Sequence, residues 1–258
     1  MSFLKVVAII QARMGSKRLP GKVLRKVQGK PLLEYQLERI RKSRYINEIV
    51  VATTNKESDQ PIVDLCERLS VAYFQGSEED VLSRFFEAAT KHYAKIVIRL
   101  TADCPLIDHH TVDKVLAEYF LNAGEYDYAS NTLVRTYPRG FDVEVFSMET
   151  LEKAYKEANG PAYREHVTPY IYYHPELFNL ASIHHHTDLS SFRLTVDTED
   201  DLVLITKLLN HLHRIEDFTL EDIMDLLQEN PDWTSLNSHI EQKKILKRKI
   251  GNSETEDQ

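Results

Sequence analysis

Cysteine is almost missing from this 258-residue chain: Cys66 and Cys104 are the two, far apart and in unlike contexts. That excludes a disulfide framework and a cysteine-rich metal site, and both read as structural thiols. Long apolar runs are missing too, since no stretch approaches the roughly 20 residues a membrane-spanning helix needs. The first residues, MSFLKVVAIIQARMGSKR, lack a basic leader and a small-residue cleavage site. They read as a first strand, not a signal peptide, and the expected location is the cytoplasm. Net positive charge is absent as well: the formal balance of -8 argues against a nucleic-acid partner. No internal repeat and no low-complexity core interrupt the chain.

What is present is ordinary in amount and uneven in placement. Hydrophobic residues at 42% and charged residues at 28% suit a globular protein. Residues 1–44, however, hold twelve Lys or Arg against two Glu, a local +10 that leaves -18 on the remainder. Such polarity points to a site for a polyanion smaller than a nucleic acid.

Lys5 to Ala12, Glu48 to Thr53 and Lys95 to Leu100 are β-branched and apolar on both faces, as buried parallel strands are. Between them, Leu33, Leu37 and Ile40, then Ile62, Leu65 and Leu69, then Leu82, Phe85, Phe86 and Ala89 recur at helical spacing. Alternating strands and helices with right-handed crossovers predict an α/β fold, a mostly parallel sheet flanked by helices on both faces. Ser77 ahead of Glu78, Glu79 and Asp80 predicts a helix cap with an acidic first turn. Tyr126 to Tyr128 and Phe141 to Phe146 read as strands around a loop with Tyr137, Pro138 and Gly140, and residues 126–146 are expected to form a protruding arm. Phe192 to Val196 reads as a late buried strand, followed by a helix over Thr198 to Leu212. The expected organisation is a domain over 1–217, a helical extension over 218–250 with one clear helix at Leu220 to Glu229, and a disordered tail over 251–258.

Three constellations carry chemistry. Gln11-Ala-Arg-Met-Gly-Ser-Lys-Arg-Leu-Pro-Gly-Lys22 leaves the first strand at the carboxyl end of the sheet, where open α/β folds bind ligands. Arg13, Lys17, Arg18 and Lys22 can compensate phosphate charge, and Gly15 and Gly21 let the backbone turn N–H groups toward an anion. The loop is not a Walker A motif: five residues separate Gly15 from Gly21, and Val23 stands where a hydroxyl would hold Mg²⁺. Its bland alternative is a solvated basic turn. Arg99-Leu-Thr-Ala-Asp-Cys-Pro-Leu-Ile-Asp108 follows the third strand, so Asp103 reaches the same edge as a candidate Mg²⁺ ligand. Asp108 reads either as part of that site or as the cap of a helix over His109 to Leu121. Asp197, in Val196-Asp-Thr-Glu-Asp-Asp201, ends another buried strand and reads as a metal ligand or a cap; Glu199, Asp200 and Asp201 suit a first helical turn. The triplet His184-His185-His186 reads as a strand end, because adjacent strand residues point apart.

The stretch IIQARMGSKRLPGKVL resembles the N-terminal signature of the cytidylyltransferases that make CMP-activated sugar acids. With VVATTN, GSEEDVLSRF, IRLTADCPLID, YPRGFDVEVF, REHVTPYI and LTVDTEDDL, the resemblance extends over about residues 5 to 230, toward the spore coat polysaccharide biosynthesis protein F branch. It implies the Rossmann-like fold of nucleotide-diphospho-sugar transferases and a homodimer in which an arm reaches the partner subunit. It also implies a reaction: CTP, with Mg²⁺, is joined to a sugar or sugar acid, releasing pyrophosphate, for surface polysaccharide or glycoconjugate synthesis. Gln11, Ala12, Arg13, Gly15, Ser16, Lys17, Arg18, Lys22 and Thr101 are then the nucleotide site, Thr101 lying near the base. Asp103 and Asp197 are the metal pair, and Arg13, Lys22 and Asp103 the catalytic groups. Sugar-site candidates are Arg139, Glu144, Arg164, Glu165 and His166, with Tyr137, Gly140 and Asp142 beside them. Glu144 faces either the cleft or water, and His166 is either a hydroxyl-orienting base or a structural histidine. The competing function is a glycosyltransferase consuming a nucleotide sugar, although Thr101-Ala-Asp103 lacks the first carboxylate of an Asp-x-Asp motif. A binding protein that has lost activity is the third reading.

Overall fold

The computed structural model describes residues 4–122 and 124–242. Strand β1 (Val6–Gln11) is followed by a two-residue ladder, β2 (Lys26–Val27) with β3 (Lys30–Pro31), and by helix α1 (Leu32–Ile40). Then come β4 (Glu48–Thr54), α2 (Gln60–Arg68), β5 (Ala72–Gly76), α3 (Val81–Lys91), β6 (Ile96–Thr101) and α4 (His109–Leu121). The second half adds β7 (Tyr128–Ser130), β8 (Glu144–Ser147), α5 (Met148–Glu157), α6 (Pro161–His166), α7 (Pro169–Tyr172), β9 (Leu180–Ser182), α8 (Glu199–Leu212) and α9 (Leu220–Glu229).

Among the described residues the main sheet has seven strands in the order β5-β4-β1-β6-β8-β7-β9. β8 alone runs against its neighbours; the β1–β4, β1–β6, β4–β5 and β7–β9 pairs are parallel. The chain passes from β1 to β4 and β5 on one side, then crosses to β6 on the other. The crevice at this reversal opens beyond the carboxyl ends of β1 and β6, where doubly wound sheets bind ligands. Alternate residues of β1 serve separate cores: Val6, Ala8 and Ile10 pack with α1, α2, α4 and α8, while Val7 and Ile9 pack with α3 and α5. Burial on both faces is why these strands read as unbroken apolar runs.

Four expectations need correction. Residues 126–146 do not protrude: β7 and β8 are sheet strands, and Tyr137, Phe141, Val143 and Phe146 are buried. Phe192 to Val196 is extended and buries Leu194 and Val196, but it meets the Tyr137–Gly140 loop through a single bridge, Arg139 to Arg193, and joins no sheet. Asp80, not Ser77, caps α3 by accepting from Ser83 N, while the Ser77 hydroxyl accepts from Asp80 N one turn earlier. The extension contains α9 and a 3-10 turn over Pro231–Leu236, and 237–242 forms no helix. The remainder of the expected helix, 243–250, and the tail 251–258 lie outside the described residues. Phe218, Leu220, Ile223 and Leu227 join the core beneath α8, so the extension packs as part of the same body.

Candidate active site

The loop after β1 is held by its own backbone and by one buried acid. Met14 O accepts from Ser16 N (2.8 Å) and Gly21 N (3.0 Å), closing the loop, and Leu19 is buried beneath it. Asp59, ahead of α2, accepts from Met14 N at 2.8 Å and from the hydroxyls of Thr53 and Thr54, tying the loop to β4. Gly21 takes φ +66°, a left-handed conformation that costs a glycine little, and turns the chain so that Lys22 starts a 3-10 turn facing the sheet edge.

There the three constellations meet. The Lys22 ammonium donates to Asp103 Oδ2 and Asp197 Oδ1, both at 2.7 Å. Asp197 Oδ2 is shared by Arg18 and Arg193, each at 2.8 Å. Burial works against charge on Lys22, but Asp103 and Asp197 outweigh it and hold the lysine pKa above its ordinary value. Burial likewise opposes ionisation of Asp197, and Lys22, Arg193 and Arg18 overcome it, drawing the carboxyl pKa down to about 2. Asp103 is oriented by the Thr101 hydroxyl at 2.7 Å. Its carbonyl accepts from Val196 N (2.8 Å) and the Thr195 hydroxyl (3.1 Å), which brings the Asp197 segment across the end of β6. Asp201 Oδ2 accepts from Asp197 N and Thr198 N, and its carboxylate pairs with Arg193. Thr198 and Asp201 form a reciprocal capping box on α8, so Asp201 is both cap and support. Asp108 caps α4 through Thr111 N and also accepts from Leu220 N, a structural role on both counts.

Two clefts open on this edge. The smaller, 350 Å³, is lined by Gln11, Ala12, Arg13, Ser16, Lys17, Arg18, Lys22, Thr101, Asp103 and Asp197, which the sequence placed in the nucleotide and metal sites. Gly15 is not on its wall; a side chain there would point at Glu78, which pairs with Arg13 and Lys56. The larger, 1230 Å³, takes in Arg139, Glu144 and His166, with Thr101 common to both clefts. Two sugar-site candidates sit elsewhere. Glu165 lines the smaller cleft, and Arg164 lines neither, because its guanidinium is bound by Asp80 (2.9 Å through Nε) and by the Tyr155 carbonyl. Tyr137 is buried edge-on to His185. The histidine triplet lies beyond β9, and the expectation that its members point apart needs correction: the His185 and His186 ring centres lie 4.2 Å apart, while the His184 carbonyl accepts from Lys114 and the His185 ring also reaches Thr187 and Glu221.

Glu144 faces the larger cleft from a buried position and accepts from Arg99, Tyr128 Oη and the Thr168 hydroxyl (2.6 Å). Arg99 also reaches Gln11 Oε1 at 3.1 Å, linking the two cleft floors. Asp142 is held bidentately by Arg135 at 2.6 and 2.9 Å. Among the described residues no carboxylate lies within ion-pair distance of Arg139, whose pKa is lowered by burial and then by Arg135, against Asp142, which raises it, with Arg193 adding to the lowering. Sequence reasoning assigned no role to Arg99, Arg135 or Arg193. An arginine inside an otherwise apolar buried strand was the available signal for Arg99; the other two become visible only through their partners.

The hard oxygens of Asp103 and Asp197 converge on one cationic atom, the donor set a Mg²⁺ ion prefers, beside cations suited to phosphate. Such a site belongs to nucleotidyl-transfer enzymes. The model of the cytidylyltransferase family matches residues 7–249, and the chain belongs to that family. An uncharacterized protein of Methanocaldococcus jannaschii is 41% identical over 242 residues, covering 93% of this chain and 97% of that protein. The spore coat polysaccharide biosynthesis protein SpsF of Bacillus subtilis is 34% identical, over 88% of this chain and 95% of its own length. A solved cytidylyltransferase from Leptospira borgpetersenii superposes with a TM-score of 0.87 at 32% identity, covering 93% of this chain and all of that one (100%).

Proposed function

We propose that this cytidylyltransferase joins CTP to a sugar acid with Mg²⁺, giving a CMP-activated sugar and pyrophosphate for surface polysaccharide or glycoconjugate synthesis. The observation that carries the reading is the Lys22 ammonium midway between Asp103 and Asp197, which marks a cation position beside the basic loop. The triphosphate lies in the smaller cleft against Arg13, Lys17, Arg18 and Lys22. The acceptor enters the larger cleft, which adjoins the smaller one at Thr101. Asp103 and Asp197 would hold Mg²⁺, which when bound would supply charge neutralisation for the phosphates. The acceptor hydroxyl oxygen attacks the α-phosphorus as the bond to the β-phosphate oxygen breaks; its proton passes to solvent or a cleft base, and the loop cations stabilise departing pyrophosphate.

Arg139 supports an acidic acceptor. A guanidinium half-buried near Arg135 and Arg193, whose neighbouring carboxylate Asp142 is held bidentately by Arg135, suits a substrate carboxylate, which it can hold bidentately. The homodimer rests on family resemblance, and sedimentation velocity measures it. No described helix is long and apolar enough to cross a membrane, in keeping with a cytoplasmic location.

The test is pyrophosphate release from each NTP with Mg²⁺ and a panel of neutral and acidic sugars. Release with CTP and an acidic sugar, abolished by Asp103→Asn in a folded variant, is the expected result. Release of nucleoside diphosphate from a nucleotide sugar, or full turnover in Asp103→Asn, overturns the proposal.

A further inference from the structure

The carboxylates assigned to the metal already carry a full set of counterions. Lys22 lies 2.7 Å from both Asp103 and Asp197, Arg18 and Arg193 each lie 2.8 Å from the second oxygen of Asp197, and Arg193 is also paired with Asp201. Three cations therefore face three carboxylates, and the cluster is neutral before any metal arrives. A divalent cation entering alone meets a neutralised pair and must expel an ammonium that has no other carboxylate within ion-pair distance among the described residues. With a triphosphate in the cleft the exchange differs. Lys22 and Arg18 line the same wall as Lys17, so phosphate oxygens offer both a new anionic partner without leaving the cleft. The long lysine stem allows the shift by rotation of its side chain.

We infer that Lys22 is an exchangeable counterion. It holds Asp103 and Asp197 together in the nucleotide-free enzyme and transfers to the phosphates when the metal takes the carboxylates, so metal and nucleotide bind cooperatively. This rests on the assignment of Asp103 and Asp197 as metal ligands. Coupling of this kind is reciprocal: whatever raises metal affinity in the presence of nucleotide raises nucleotide affinity in the presence of metal by the same factor. One residue thereby has opposite effects on the two ligands, opposing free metal while favouring nucleotide.

Mn²⁺ serves as the probe, titrated into the full chain by calorimetry and by electron paramagnetic resonance, with α,β-methylene-CTP as the unreactive nucleotide. Removing the lysine charge in Lys22→Gln is expected to tighten Mn²⁺ binding without nucleotide by about ten-fold or more, since a positive charge within ion-pair distance of both ligands is lost. The same variant is expected to bind the analogue about ten-fold more weakly with metal present. Lys22→Met repeats the test with a different shape, circular dichroism verifies the fold of each variant, and Lys26→Gln, an exposed charge on the same segment, is expected to match wild type. Mn²⁺ affinity in Lys22→Gln and Lys22→Met equal to or below wild type overturns the inference. Mn²⁺ retained with the analogue in both Asp103→Asn and Asp197→Asn overturns instead the ligand assignment on which it stands.

Discussion

Gly140 shows how one residue fixes the distance between two loops that meet behind Asp103 and Asp197. Its φ is +101°, and a Cβ added there would lie 2.5 Å from both the carbonyl carbon and oxygen of Leu194. The approach is closed by Arg139 N donating to Phe192 O (3.0 Å) and Leu194 N donating to Arg139 O (2.7 Å). Neither backbone yields cheaply, because the 192–197 run also delivers Arg193, Thr195 and Asp197 to the site. Gly140→Ala is therefore expected to lose about 2–4 kcal/mol in urea unfolding, from strain at positive φ and displaced backbone. Turnover should fall as well, since Asp197 moves with the run; a variant matching wild type in both measurements would mean that the two loops separate freely. The sequence quoted this glycine among its family-like blocks but could not give the reason for it, because the backbone it touches is remote in the chain. The same holds for Arg99, whose buried counterion Glu144 lies on a neighbouring strand. Asp103 was legible because β6, a buried strand, announces where it ends; Asp197 was read the same way although the run before it joins no sheet among the described residues, and cross-chain partners announce nothing.

At the level of elements, legibility followed burial. β1, β4 and β6, covered on both faces, and α1 to α3, with apolar stripes, were read from pattern, while α4 was read from its cap at Asp108. β5 lies at the sheet edge with every residue partly or fully exposed, and β7 and β9 have three residues each, too few for a periodic signal. α6 and α7, of six and four residues, flank Val167, held at φ +73° by contacts no local propensity predicts. The arm was expected because a loop between two short strands gives no indication that both lie in the main sheet. The C-terminal extension contributes more than its helical pattern indicated. Asn237, buried beyond the 3-10 turn, donates to the Arg193 carbonyl at 2.9 Å and to Asp201 Oδ1 at 2.8 Å, and Gln242 accepts from Arg193. The ion pair behind Asp197 is thus completed by a segment remote in sequence. Asn237→Ala should cost about 1–3 kcal/mol in denaturant unfolding, because it leaves buried acceptors unpaired. It should also raise the Mg²⁺ concentration needed for half-maximal turnover as Asp201 loosens its hold on Asp197; an unchanged metal requirement would reduce the extension to packing alone.

For the whole molecule the decisive quantity is the sign of the field at the cleft. The chain carries -8 overall, with +10 on residues 1–44 and -18 on the rest, so two electrostatic effects compete for an incoming metal–triphosphate anion. If the net charge governs approach, added salt screens a repulsion and association speeds up. If the cleft governs, salt screens an attraction and association slows. The fold favours the second outcome. Arg13, Lys17, Arg18 and Lys22 share the cleft wall with Asp103, Asp197 and Glu165, four cations against three carboxylates, and the exposed Lys17 is the one of the four without a carboxylate pair among the described residues. The Debye length of about 10 Å at 0.1 M salt hides the remoter acids, while the loop charges stay within that distance of the ligand. Raising KCl from about 20 to 200 mM should therefore lower kcat/KM for CTP by roughly threefold, with kcat almost unchanged because contacts inside the loaded cleft are screened less. Lys17→Gln, which removes an exposed charge with no carboxylate pair among the described residues, should flatten that dependence while retaining kcat within about twofold. A rise of kcat/KM with salt would assign control to the net negative charge, and an unaltered slope in Lys17→Gln would confine the loop to direct contact with bound phosphate.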